Sequence, residues 1–289
     1  LRVIAWYGKR RCRCERLPFA VDEQSKALMR ADDRSRLFRH DPQYGIDRVR
    51  GMYRQCRIGQ SLQQSRMLEL PLEQLRDLSQ FQKFLTLLAG RVGQVVNFAS
   101  LSNDVGVSTT TIRNWLSVLK ASYVVFELPP FFENVRKRVI KSPKIFFTDV
   151  GLATFLLGIH TEEQASRDPL RGNLYENLIV ADIVKGALNK GIRPEIYFFR
   201  DSHGNEVDLL VREKGTLTPV EIKSAGTVSV DSVKGVERFQ ALEIKRVTAG
   251  VVLYNGEQRF NVRGARIFNP LLVEDIWETL TAPPEQGQS

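Results

Sequence analysis

Several familiar classes of protein are excluded by what the sequence lacks. No stretch is apolar for the ~18 residues that a bilayer-spanning helix needs. The nearest approach, FFTDVGLATFLLGI, is too short and is interrupted by Asp149. Arg2, Lys9, Arg10 and Arg11 open the chain, but the apolar core of a secretory signal does not come after them. These absences predict a cytoplasmic protein with no membrane partner. Cysteine is scarce, with only Cys12, Cys14 and Cys56, and without a secretory signal they do not make a disulfide framework. Adding His40 gives four residues of zinc-ligand type, but not the spacing of a zinc module. The histidines His40, His160 and His203 are scattered, and no nucleophile–histidine set is assembled. There is no internal repeat.

Basic charge is present but confined. The formal net charge is +9. Residues 1–70 carry 16 Lys and Arg against 8 Asp and Glu, whereas residues 71–289 carry 26 against 25. A basic-protein argument for nucleic-acid binding therefore applies only to the first quarter. That quarter has weak apolar periodicity, 14 Arg to 2 Lys, and Leu1 at its start in place of Met. We expect a poorly ordered basic extension there, unrelated to the rest of the chain or out of frame with it. A basic arm for nucleic acid is the alternative.

From residue 72 the pattern sharpens. In LEQLRDLSQFQKFLTLLAG, Leu75, Leu78, Phe81, Leu85 and Leu88 form a helical stripe that stops at Gly90. A short helix is expected over Phe98–Val105, ending at Gly106. Ser108 then stands where an N-cap belongs, and Ile112, Trp115, Leu116 and Leu119 mark the buried face of the next helix. YVVFELPPF and KSPKIFFTD read as strands around an exposed basic turn containing Arg136, Lys137, Arg138, Lys141 and Lys144. Asp149 is placed to cap a further helix. Three helices and a hairpin are the winged-helix order, so residues 72–160 are expected to form a winged-helix-like module. In it, Thr109, Thr110, Arg113 and Asn114 would face a DNA groove, with Arg136 and Arg138 on the wing.

Residues 172–280 change character. NLYENLIVADIVKGALNKG is an amphipathic helix (Leu174, Leu178, Ala181, Ile183 and Leu188) closed by Gly191. Three strand-like runs come next, EIYFFRD, EVDLLVRE and LTPVEIKS, the first two joined at Ser202-His203-Gly204-Asn205. After them stand a helix (SVKGVERFQALE), strands in VTAGVVLYNG and RIFNP, and a short helix (VEDIWETL). The fold class is α/β (α+β), with a mixed sheet flanked by helices. The tail APPEQGQS has a disordered composition.

Side chains alternate along a strand, so Glu221 and Lys223 share a face, as do Glu206 and Asp208. Asp208 and Glu221 on adjacent strands make a hard oxygen site suited to Mg²⁺ or Mn²⁺. Lys223 beside them would orient an attacking water or stabilise a pentavalent phosphate, and Glu176 on the preceding helix is placed to reach the same ion. The competing reading is an ordinary edge-strand charge network. The set Glu176, Asp208, Glu221 and Lys223 resembles the PD-(D/E)XK nuclease superfamily, which implies a restriction-endonuclease-like αβββαβ domain.

A closer resemblance covers roughly residues 75–275. TIRNWLSVLKASYVVFELPPF, KIFFTDVGLATFLLGI, GNLYENLIVADI, FFRDSHGNEVDLLV and PVEIKS, in this order, are similar to a large family of prokaryotic AAA+ ATPases. In that family a domain of unknown function comes after the ATPase. The resemblance implies ATP binding by an intact parent protein. No G-x-x-x-x-G-K-[ST] occurs in this chain, so ATP is not expected to bind these residues. Two functional classes stand: a nuclease-like domain acting on DNA or RNA, and a non-catalytic module binding a protein partner of the ATPase.

Overall fold

Of the expected stripe, Phe81, Leu85 and Leu88 are buried by helix α1 (Leu78–Ala89), with Phe84 beside them, whereas Leu78 in its first turn is exposed. Helix α2 (Phe98–Val105) starts at Asn97, whose side chain accepts from the Ser100 N–H. It ends at Gly106, which has φ 89°, a left-handed conformation that glycine adopts without penalty. Ser108 caps α3 (Thr109–Ala121) by accepting from the Thr111 N–H, and α3 buries Ile112, Trp115, Leu116 and Leu119. The Trp115 ring packs edge-on against Phe81 at 5.4 Å, locking α3 to α1. Strands β1 (Val125–Leu128) and β2 (Lys144–Phe147) then pair antiparallel, with Leu128 opposite Lys144.

The structure is a computed structural model that describes residues 78–132, 142–201, 204–242, 244 and 246–282. The basic extension 1–70 with its cysteines, Leu75, the turn carrying Arg136, Lys137, Arg138 and Lys141, His203 and the C-terminal tail lie outside the described residues.

After β2, Asp149 accepts from the Gly151 N–H and caps α4 (Val150–Leu156) as expected. Helix α5 (Glu162–Arg167) is an element that the sequence pattern did not predict. It begins with a capping box in which Thr161 and Gln164 satisfy each other's backbone N–H groups. Helix α6 (Arg171–Asn189) buries Leu174, Ile179, Val180 and Ile183, but Leu188 in its last turn is exposed, against the sequence expectation.

The mixed sheet contains β3 (Glu195–Arg200), β4 (Glu206–Glu213), β5 (Thr216–Lys223), β6 (Val251–Tyr254), β7 (Phe260–Val262) and β8 (Ala265–Phe268), in the order β3-β4-β5-β6-β8-β7. β3, β4 and β5 form an antiparallel meander, β5 runs parallel to β6 and β6 to β8, and β7 closes the edge antiparallel to β8. Alternation divides the core. Leu209, Val211, Val220 and Ile222 pack with α6 and with α8 (Ile276–Thr281), while Leu210 and Leu217 pack with Phe239 of α7 (Lys234–Gln240). A 3₁₀ turn, Val230–Val233, leads into α7.

All described residues fall in one compact unit. The hairpin and the sheet share a core, since Leu128 and Phe146 pack among the residues of α6 and β3–β6. No helix among the described residues is long and apolar enough to cross a membrane.

Candidate functional site

The site is built where β4 begins and β5 ends. Leu209 pairs with Val220, so Asp208 and Glu221 are next in register and point to the same side. At this point the ladder is interrupted: Asp208 Oδ2, not a carbonyl, accepts from the Ile222 N–H at 2.8 Å. The Asp208 carboxylate repels that of Glu221 across the two strands. Lys223 Nζ is 2.8 Å from Glu221 Oε2 and 3.8 Å from Asp208 Oδ2.

Helix α6 adds Glu176, and here an unforeseen residue enters. Lys144, expected in an exposed basic turn, is instead the first residue of β2 and only 3% exposed. Its ammonium lies 3.1 Å from Glu176 Oε1 and 2.9 Å from Glu206 Oε1, with the Phe198 ring 5.5 Å away. The correction has a physical basis. All four residues of Lys-Ile-Phe-Phe are buried, Ile145 and Phe147 in the core of the preceding helices and Phe146 in that of the sheet, and a lysine drawn in with them needs carboxylate partners.

One face of α6 holds this arrangement together. Residues at i, i+3 and i+4 lie side by side on a helix, and Asn173, Glu176 and Asn177 all reach towards the preceding module. Asn173 Nδ2 donates to the Val92 carbonyl, while Asn177 accepts from Phe147 N–H and donates to Phe147 O.

Two glycines wall the carboxylates. A Cβ on Gly235 would lie 2.0 Å from Glu221 Oε1, and one on Gly93 would lie 3.3 Å from Glu176 Oε2. Gly93 also has φ 69°, so a side chain there would be strained twice over.

The electrostatics arise from crowding and burial. Burial opposes the charge on Lys144, but Glu176, Asp208 and Glu206 together outweigh it and hold the ammonium protonated. Burial pushes the Glu176 carboxyl up, against the pull of Lys144. Burial, then repulsion from Asp208, push Glu221 up to about 8, although Lys223 draws it down. Lys223 is raised, because Asp208 and Glu221 overcome its own desolvation. Fully ionised, the cluster would hold the four carboxylates Glu176, Glu206, Asp208 and Glu221 against the Lys144 and Lys223 ammonium groups and the Arg200 guanidinium, 3.8 Å from Glu206 Oε2, leaving one negative charge in excess. Such an excess favours uptake of a proton or a cation.

The structure thus brings Glu176, Asp208, Glu221 and Lys223 into one cluster and adds Lys144 and Glu206. Among the described residues no group of three or more His, Cys, Asp or Glu side chains stands ready to hold a metal ion. Thr109, Thr110, Arg113 and Asn114 lie apart from the cluster, exposed on α3, with the Arg113 guanidinium 4.0 Å above the Phe98 ring.

Comparison with known proteins divides the chain at α6. Residues 171–272 match a domain of unknown function, DUF4143. Domains of this kind are found at the C-terminus of AAA-like ATPases. Residues 70–163 match a second domain of unknown function, DUF8612. Uncharacterized proteins of Mycobacterium tuberculosis and Mycobacterium bovis are each 33% identical over 176 residues, covering 61% of this chain. The chain spans 38% of the length of these relatives. Lys144 lies in the first matched segment, and all its carboxylate partners lie in the second.

Proposed function

We propose that the sheet domain is a PD-(D/E)XK-like, metal-dependent nuclease module belonging to a protein of the AAA-like ATPase group. The observation that carries this reading is the meeting of Asp208, Glu221 and Lys223 on neighbouring strands. The α6-β3-β4-β5-α7-β6 order, with an antiparallel meander and then a parallel strand, supports it. Two adjacent carboxylates fit a Mg²⁺ or Mn²⁺ ion, since such ions are commonly bound by one or two carboxylates with water and substrate phosphate completing the shell. Asp208 and Glu221 would hold it. When bound, it would supply Lewis-acid polarisation of a phosphate oxygen and an acidified water.

The chain's own groups have separable tasks. Lys223, held by Glu221, presents a cation at the rim, where charge accumulates on a pentavalent phosphate. Asp208 is oriented by the Ile222 N–H, which fixes one oxygen and aims the carboxylate. Residues 72–160 would act as a winged-helix-like module whose helix α3 offers Thr109, Thr110, Arg113 and Asn114 to DNA. ATP binding would belong to an intact parent protein. The test is cleavage of DNA and RNA substrates with Mn²⁺ or with chelator. Metal-dependent cleavage lost in Asp208→Ala is expected, and no cleavage of any substrate would count against the proposal.

One observation favours a second reading. Lys144 already neutralises part of the cluster, as in a structural joint, and residues 71–289 are nearly neutral. On that reading the domain is a non-catalytic module that binds a protein partner or regulates the ATPase.

A further inference from the structure

We propose that Lys144 is the resident cation of the Glu176–Glu206 half of the cluster, so that this half does not take a divalent ion. The inference rests on the metal-dependent reading only for the other half, Asp208 and Glu221.

Three observations support it. First, the Lys144 ammonium occupies the position an inorganic cation would take between the two carboxylates, at 3.1 and 2.9 Å. Second, it is held there by the backbone. Lys144 pairs with Leu128 in the hairpin and bridges to Val95, and Asn177 bonds both backbone groups of Phe147 three residues later. These bonds fix the backbone from which the side chain extends, and the side chain itself is 4% exposed. Third, the remaining carboxylates have different partners: Asp208 accepts from Ile222 N–H and Glu221 from Lys223. Lys223 is 38% exposed at its side chain and can move aside, whereas Lys144 is 4% exposed and cannot.

The consequence is chemical. A lysine and a divalent ion compete for the same carboxylate lone pairs, and the tethered lysine has no translational entropy to lose. The cluster therefore has one half open to exchange and one permanently filled. Glu176 becomes a positioning residue that holds Lys144, not a metal ligand.

Mn²⁺ titration of the full chain, with bound and free ion counted by electron paramagnetic resonance, tests this. The wild-type protein should bind one Mn²⁺ and Lys144→Met should bind an additional ion. Glu176→Gln, which keeps a hydrogen-bond acceptor for Lys144, should change the affinity by less than about fivefold, below the 10–100-fold effect usual for an outer-shell partner. Circular dichroism establishes folding. If Lys144→Met does not fold, Glu176→Gln decides alone. Two ions in the wild type, no added ion in folded Lys144→Met, or a larger loss in Glu176→Gln would each overturn the inference. No ion in the wild type but one in Lys144→Met would uphold Lys144 as resident cation and overturn the metal-dependent reading. No ion in either would overturn both.

Discussion

Lys144 and Glu176 form a buried ion pair across 32 residues of sequence, joining strand β2 to helix α6 at the point where two separately recognisable domains meet. Desolvating both charges is unfavourable, and only complete pairing offsets it. Lys144→Met should therefore lower the unfolding free energy by about 3–5 kcal/mol, the range for leaving a buried charge uncompensated. The double variant Lys144→Met/Glu176→Gln should recover much of that loss. Urea denaturation measures both, and a single-variant effect within experimental error would show that the pair is not sealed from water.

Gly235 offers a sharper steric test. A methyl at this position would meet Glu221 Oε1 at 2.0 Å and the Glu206 carbonyl at 2.9 Å. Either α7 or Glu221 must move, so Gly235→Ala should destabilise the domain by about 1–3 kcal/mol, as overpacking does. A crystal structure of the variant with Glu221 unmoved and stability unchanged would contradict this.

Much of this geometry was legible in the sequence because it rests on short-range rules. Alternation located β3, β4 and β5 to within about a residue, and Ser108 and Asp149 announced their helices by capping chemistry. Asp208, Glu221 and Lys223 could be grouped because neighbouring strands and a period of two suffice. Lys144 could not. Its four-residue strand is buried throughout and shows no alternation, and its neighbours Lys141 and Pro143 look like a turn. Its partners are set by tertiary packing alone. Two elements were missed despite a local signal: the Thr161–Gln164 capping box of α5, and the Arg263–Gly264 turn, both at positive φ, that joins β7 to β8.

The raised carboxyl of Glu221 gives a pH dependence with a definite sign. Its ordinary value is 4.5 and burial with Asp208 brings it to about 8. A group raised on folding contributes stability that is fully present below the unfolded value and lost as pH rises through the folded one. Wild-type stability should fall between pH 5 and pH 8 relative to Glu221→Gln, by an amount on the order of 1–3 kcal/mol. Parallel melting curves for the two proteins across that range would refute the assignment.

Helix α3 makes its own prediction. Arg113 is exposed, with its guanidinium over the Phe98 ring. If α3 contacts duplex DNA, Arg113→Ala should weaken binding by about 1–3 kcal/mol, the usual worth of such a contact. The salt dependence should be shallow for residues 71–289, whose charge is nearly balanced. Fluorescence anisotropy showing equal binding by both proteins would remove α3 from the interface.

If Asp208 and Glu221 form a cation-binding pair, thermal unfolding must respond to millimolar Mn²⁺. A ligand that binds only the folded state stabilises it by mass action, about 2.7 kcal/mol at a hundredfold excess over Kd. Mn²⁺ should raise the wild-type Tm by several degrees, and Asp208→Ala should abolish the rise. An unchanged wild-type Tm, or an equal rise in Asp208→Ala, would contradict it.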